Sequence, residues 1–317
     1  MESTRNIRDV TKHDVSLAGG KGASLGEMTR AGIAVPPGFV IFATTFDRFL
    51  KGTGLTVEID SILHTIDRAR MHTIEHASKK IHALILQESI PKDISDEIKK
   101  CFKNLDATFV AVRSSATAED SANATWAGQL ETYLNSTEKN LIEHVKKCWA
   151  SLFTPRAIFY RFEKDLRQTK ISVAVVVQKM IESEISGVAF SVHPITQDTN
   201  QLIIEASFGL GEAVVSGQIT PDSYVVEKVP RRIINKNVEI KIRGLYRANP
   251  PAGGGGNEWR DIPKELNTMQ ALTDAQILQL SDLILYTEHH YGFPIDIEWA
   301  LEKGKFYILQ SRPITTL

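Results

Sequence analysis

Two short runs near the end of the chain, Asp296-Ile297-Glu298-Trp299-Ala300 and Phe306-Tyr307-Ile308-Leu309-Gln310, alternate polar and apolar side chains. A period of two is the signature of a strand, and a helix cannot present it. The chain must therefore hold a hairpin, and the register of that hairpin decides which residues share a face. With Lys303-Gly304-Lys305 as the loop, Trp299 faces Leu309 and Leu301 faces Tyr307 on the apolar side. The opposite side pairs Glu298 with Gln310 and Asp296 with Arg312. A one-residue slip would set Glu298 against Leu309, an unfavourable match. One face thus gathers two carboxylates, an amide oxygen and a guanidinium. Hard oxygen donors suit Mg²⁺, and a neighbouring arginine suits the phosphates such a metal bridges. The competing reading is a plain surface ion pair between Asp296 and Arg312, which leaves Glu298 and Gln310 without a reason.

Ahead of this hairpin the chain reads as helices first and strands later. Gly19 to Arg30 is helical after its glycines, and most of residues 56–103 is helical, with Pro91 as a divider and a short helix from Asp93 to Lys103. Helices are also expected near Glu138 to Phe153, Pro155 to Asp165 and Asp274 to Tyr291. Strands are expected at Phe109 to Val112, Ser172 to Gln178, Gly187 to Ser191, Leu202 to Glu205 and Tyr224 to Lys228, besides the terminal pair. Few regular βαβ alternations occur, which argues for α+β with antiparallel sheets. The run Pro250 to Gly256 reads as a flexible loop.

Four earlier segments carry residues suited to chemistry. Gly19-Gly20-Lys21-Gly22 opens a helix, where backbone amides attract anions and a lysine adds mobile positive charge. An ordinary glycine turn with a solvated lysine is the other reading, and the pattern is not a Walker A loop. Arg113, in Val110-Ala111-Val112-Arg113-Ser114-Ser115, ends a buried strand with a planar fork that matches phosphate oxygens, and the two hydroxyls are placed to support it. Its alternative partner is Glu119 or Asp120. Thr125 to Gln129 forms a small-residue loop suited to covering a ligand, followed by a strand at Glu131-Thr132-Tyr133. Gln178-Lys179-Met180-Ile181-Glu182 is able to hold an adenine ring between apolar side chains, or to be a plain connector between strands. Phe208-Gly209-Leu210-Gly211-Glu212 lacks the spacing and the βαβ setting of a dinucleotide fingerprint.

Composition excludes other classes. Thirty-seven basic and thirty-eight acidic side chains give no generic attraction to nucleic acid or to acidic membranes. Two cysteines are too few for a disulfide scaffold or a four-ligand zinc site. No HExxH occurs, so a zinc hydrolase is not supported; Gly22-Ala23-Ser24-Leu25-Gly26 has the Gly-x-Ser-x-Gly spacing but falls within the expected helix rather than at the strand-to-helix turn of a serine hydrolase. Met1 to Val10 has no apolar core of a signal peptide and Val173 to Val177 is far short of a span, so a cytoplasmic protein without membrane contact is expected.

In chain order these segments resemble one family. Gly-Gly-Lys-Gly-Ala-Ser-Leu-Gly-Glu-Met at 19–28, Val-Pro-Pro-Gly-Phe at 35–39 and Ala-Val-Arg-Ser-Ser-Ala-Thr-Ala-Glu-Asp at 111–120 are similar to the nucleotide-binding domain of the dikinases. So are Ala-Gly-Gln at 127–129, Gly-Leu-Gly-Glu-Ala-Val-Val-Ser-Gly at 209–217, Asp-Ile-Glu-Trp-Ala at 296–300 and Gln-Ser-Arg-Pro at 310–313. That group includes phosphoenolpyruvate synthase, pyruvate phosphate dikinase and rifampin phosphotransferase. The resemblance covers essentially the whole chain.

It implies an ATP-grasp fold of two α+β lobes, residues 1–182 and 183–317, with mixed and antiparallel sheets enclosing a nucleotide cleft. It also implies transfer of the β-phosphoryl group of ATP to a histidine on a separate swivelling domain, giving AMP and phosphate, toward phosphoenolpyruvate synthesis. By this resemblance Lys21 and Arg113 hold phosphates, and Gly128 and Thr132 shape a lid. Gln178 with the Met180 and Ile181 backbone bounds the adenine, Glu298 and Gln310 hold Mg²⁺, and Arg312 stabilises charge on the moving group, so Lys21, Arg113 and Arg312 form the catalytic set. Positioning and charge neutralisation are what phosphoryl transfer requires. Trp126 stands where many relatives have phenylalanine, and no glycine-rich phosphohistidine motif is found. A swivelling domain and an acceptor-binding domain are therefore expected as separate partners, with only the first half-reaction in this chain. A rifamycin-inactivating module is the nearest alternative. A regulatory nucleotide binder is a third, against which the retention of all five charged and amide groups counts.

Overall fold

The computed structural model describes residues 2–117, 131–164, 171–248 and 256–314. The chain forms two compact units, Met1–Glu27 with Pro37–Met180, and Met28–Pro36 with Ile181–Leu317.

In the first unit the described elements run β1 (Thr4–Asn6), α1 (Val15–Arg30), β2 (Gly38–Ile41), α2 (Ala43–Gly52), α3 (Leu55–His64), α4 (Met71–Gln87) and α5 (Lys92–Asn104). They continue with β3 (Val110–Ala116), β4 (Thr132–Ser136), α6 (Leu141–Ala150), α7 (Pro155–Glu163) and β5 (Val173–Lys179). The strands lie in the order β1-β2-β5-β3-β4, every pair antiparallel. Alternation along the strands sends Phe39, Ile41, Val110, Val112, Val173, Val175 and Val177 into one core with the apolar stripes of the helices. Trp149 sits at its centre, stacked on Phe46 and Phe49 with ring centroids 5.4 and 5.1 Å away. The helical stretch expected over 56–103 is three helices. Asp67 makes the first break, its side chain accepting from the Ala69 amide at 3.0 Å in a local turn that competes with the helix. Pro91 makes the second, as the cap before α5.

The second unit contains β6 (Ile185–Phe190), β7 (Gln201–Phe208), α8 (Glu212–Val215), β8 (Asp222–Glu227), β9 (Arg232–Asn237), β10 (Arg243–Arg247) and β11 (Asn257–Asp261). After these come α9 (Lys264–Asn267), α10 (Asp274–Tyr291), β12 (Ile295–Glu302) and β13 (Lys305–Pro313). Six strands form one antiparallel sheet in the order β13-β12-β6-β7-β8-β9, and β10 pairs with β11. A parallel bridge joins Gly209 to Leu245. α10 has the expected bounds because its ends are written in sequence: a Thr273/Gln276 capping box opens it and Gly292 at φ 75° closes it. Its buried Ile277, Leu280 and Ile284 pack on the sheet near β7, β8 and β9. Residues 28–36 are tied into this unit, with Ala31 O accepting from the Tyr286 hydroxyl and Ala34 O from the Ile308 amide, both at 2.8 Å. β9, β10 and β11 escaped the sequence reading because their composition (Arg-Ile-Ile-Asn-Lys-Asn, Arg-Gly-Leu-Tyr-Arg, Asn-Glu-Trp-Arg-Asp) shows no apolar alternation. The fold is α+β, as expected. Among the described residues no helix is long and apolar enough to cross a membrane.

Candidate functional site

In the first unit the sheet face opposite the core is where the sequence-predicted residues meet. Register places Val40 of β2, Val176 of β5, Arg113 of β3 and Thr132 of β4 in one transverse row. The next row holds Gly38, Gln178 and Ala111. Arg113, Thr132 and Gln178 therefore share a face, since residues in one row point the same way and alternate residues repeat it. Arg113 is half-buried, Thr132 is exposed and Gln178 is buried.

The Gly19-Gly20-Lys21-Gly22 segment is fastened to the end of β3. Gly19 leaves the helical region at φ 69°, so α1 bends there and its regular part starts at Lys21's turn. A side chain at Gly19 has no room: its Cβ would lie 2.2 Å from Ser115 Oγ and 2.4 Å from Ser115 O. Ser115 Oγ donates to Ala18 O at 2.9 Å and accepts from the Gly22 amide at 3.3 Å. Ser114 Oγ donates to Glu131 O at 2.8 Å, joining β3 to the start of β4. The two serines act on the glycine turn and on β4, which the sequence reading missed by assigning both to Arg113. Lys21 thus stands in the first turn of a helix docked beside the Arg113 strand, an arrangement that attracts anions. The thiol of Cys148, on α6, is pushed well above its ordinary range by burial and further by the Glu131 charge, with the Lys21 charge opposing. Met180 ends the first unit and Ile181 begins the longer segment of the second. Gly128, the Thr125–Gln129 loop, Glu119 and Asp120 lie outside the described residues.

In the second unit the hairpin of β12 and β13 pairs Asp296 with Arg312 and Glu298 with Gln310, as the alternation requires. The apolar pairs differ from expectation. Trp299 faces Ile308, Leu301 faces Phe306 and Ala300 faces Tyr307. The cause is a shorter turn: Lys303 at φ 50° and Gly304 at φ 76° form a two-residue connection, which matches strand twist better than a three-residue one. That turn alone would bring Glu298 opposite Leu309. A register shift between Glu298 and Trp299 makes Leu309 the extra residue of a bulge and restores Gln310 as the partner of Glu298.

Arg312 Nε donates to Asp296 Oδ2 at 2.8 Å. Burial pushes the Asp296 carboxyl above its ordinary range; Arg312 opposes this and the Glu298 charge adds to it. Two like charges close together on a partly buried face favour a cation. Among the described residues no three His, Cys, Asp or Glu side chains gather closely enough to hold one alone. Glu298 and Gln310 therefore fit a hard ion that completes its shell from phosphate oxygens and water, as Mg²⁺ does. The same face also carries Glu205 of β7, which the sequence reading passed over because the run Leu202-Ile203-Ile204 shows no alternation to assign its face.

Residues 15–317 match the family described as pyruvate phosphate dikinase, AMP/ATP-binding domain. A probable phosphoenolpyruvate synthase from Archaeoglobus fulgidus is 47% identical over 317 residues, 98% of this chain and 41% of that protein. Another from Methanocaldococcus jannaschii is 44% identical over 318 residues, 98% of this chain and 26% of that protein. Rifampicin phosphotransferase from Bacillus subtilis is 39% identical over 317 residues, 98% of this chain and 36% of that protein. The chain spans less than half the length of each of these relatives.

Proposed function

The chain belongs to the pyruvate phosphate dikinase AMP/ATP-binding domain family, and from that premise we propose that it binds Mg·ATP and passes the β-phosphoryl group to a histidine on a separate swivelling domain. AMP and phosphate are the products, and the receiving domain carries the group onward, toward phosphoenolpyruvate from pyruvate. The observation that carries this reading is the helix start bearing Lys21, fastened through Ser115 to the strand bearing Arg113. A lysine in the first turn of a helix docked beside an arginine-bearing strand suits a polyphosphate.

In this reading Lys21 and Arg113 hold phosphates, Gly128 and Thr132 close over them, and Gln178 with the Met180 and Ile181 backbone bounds the adenine. Glu298 and Gln310 hold Mg²⁺, whose chemistry is to neutralise phosphate charge. Arg312, held by Asp296, is poised to stabilise charge on the group in transfer. The acceptor histidine and the final acceptor site belong to partner domains, consistent with relatives more than twice as long. The protein works in the cytoplasm, needing neither membrane nor nucleic acid. A second reading, the ATP module of a rifamycin-inactivating phosphotransferase, is favoured by the Bacillus subtilis relative; it shares every residue above and differs in the acceptor.

The test uses ATP labelled separately at the β and γ positions, with candidate phosphohistidine domains supplied in trans. Label from the β position is expected on the histidine, with AMP as product. Transfer from the γ position with ADP as product would contradict the scheme, and transfer onward to pyruvate or to a rifamycin separates the two readings.

A further inference from the structure

The transverse row through Glu298 and Gln310 continues across the sheet. Glu298 pairs with Val188 of β6, Val188 with Glu205 of β7, and Glu205 with Ser223 of β8. The alternate residues of β7, Leu202, Ile204 and Ala206, are buried on the other face, which α10 covers. Glu205 consequently points to the side that carries Glu298 and Gln310.

Its surroundings set it apart from an ordinary surface carboxylate. Glu205 is half-buried, and burial is the single influence on its carboxyl, which it pushes above the ordinary range; no charge and no hydrogen bond among the described residues acts on it. Ser207, next on the same face, buries its hydroxyl without a hydrogen-bond partner. Polar groups taken from water without partners cost stability, and a half-buried carboxylate followed by a buried hydroxyl on one face points to a ligand that satisfies them.

We propose that Glu205 is a third member of the cation site, its carboxylate accepting hydrogen bonds from the water shell of the divalent ion that Glu298 and Gln310 hold. This rests on the proposed function above, through the assignment of those two residues. One strand separates Glu205 from Glu298, so their backbones are about 10 Å apart. Direct ligation by a carboxylate trio is not available among the described residues. Mg²⁺ keeps several of its waters when protein-bound, and outer carboxylates that orient those waters tune affinity. Val188, between them in the row, has an apolar side chain that offers neither charge a competing partner. Glu205 is accordingly a positioning residue, acting on the cation through water.

The test measures Mn²⁺ binding, as the probe for Mg²⁺, by water-proton relaxation on the full chain with the β,γ-imido analogue of ATP. Glu205→Gln is expected to weaken Mn²⁺ binding about tenfold, while affinity for the metal-free analogue stays within about twofold. Thermal melting guards against a folding defect: the neutral amide should melt no lower than the wild type, and a lower melting point would assign the carboxylate a structural partner and overturn the proposal. Unchanged Mn²⁺ affinity in Glu205→Gln, with loss in Glu298→Gln, would overturn the role of Glu205 and leave the paired ligands standing. Unchanged affinity in Glu298→Gln and Gln310→Ala would overturn the underlying assignment as well. A loss of metal-free nucleotide binding seen with ATP and not with 2′-deoxy-ATP would put Glu205 on the ribose instead.

Discussion

The two units carry opposite charges on their candidate faces, and they build those faces by different means. The first uses close approach: Gly19 admits the backbone of Ser115 where no side chain fits, and one serine hydroxyl ties the helix start to the strand end. The second uses register: a two-residue turn and a one-residue bulge together decide that Glu298 meets Gln310. A site built by close approach fails abruptly, because the missing space cannot be supplied elsewhere. One built by register tolerates change, provided the alternation beyond the change is kept.

The sharpest way to break this contrast is Gly19→Ala. Positive φ and a Cβ placed against Ser115 should together cost about 3 kcal/mol or more, read as a fall in the denaturant midpoint. Stability equal to the wild type would show that the turn does not depend on close approach. Arg113→Ala comes next: removing a charged donor from phosphate should weaken ATP binding by roughly 2 kcal/mol, about thirtyfold, measured calorimetrically at constant salt. No change there would take Arg113 out of the site.

Glu205→Gln probes the acidic face through pH. Burial raises the folded-state pKa of Glu205, so its contribution to stability is fully present below the ordinary glutamate range and is lost as pH rises through the raised value. Glutamine does not titrate. The variant should match the wild type near pH 4 and exceed it near pH 7.5 by about 1 kcal/mol or less. A gain that persists at acid pH would rule out the carboxylate's charge as its source. The smallest effect is expected from deleting Leu309. Trp299 and Glu298 would keep Ile308 and Gln310 as partners in a regular ladder, so Mn²⁺ affinity in the nucleotide complex should change less than about threefold. A complete loss would show that the bulge shapes the face beyond setting register.

Much of this was legible in the sequence, for identifiable reasons. α10 announced its own ends, a β-branched aliphatic run located β5, and period-two alternation located β12 and β13. The pairing of Glu298 with Gln310 followed from alternation together with a three-residue loop, although the turn itself has two residues. The bulge did not, because turn length and bulge shift the register in opposite senses and only their sum appears in the polar pairs. β9 to β11 were hidden by their polar composition, and the break at Asp67 by a side-chain bond that leaves helical periodicity intact. Of the site, residue types were readable, but Arg113 lies in the middle of β3 and not at its end, because the strand continues through Ser114, Ser115 and Ala116; the fastening of Gly22 to Ser115 joins residues 93 apart and leaves no local trace.

The proposed function requires both Lys21 and Glu298 for the binding of one Mg·ATP per chain. Calorimetric titration of Mg·ATP into the wild type and into Lys21→Met and Glu298→Gln tests it most directly. The account predicts a single ATP per chain, weakened by either substitution, with Mg²⁺ dependence lost in Glu298→Gln alone. Two ATP molecules per chain, or full Mg-dependent affinity in either variant, would contradict it.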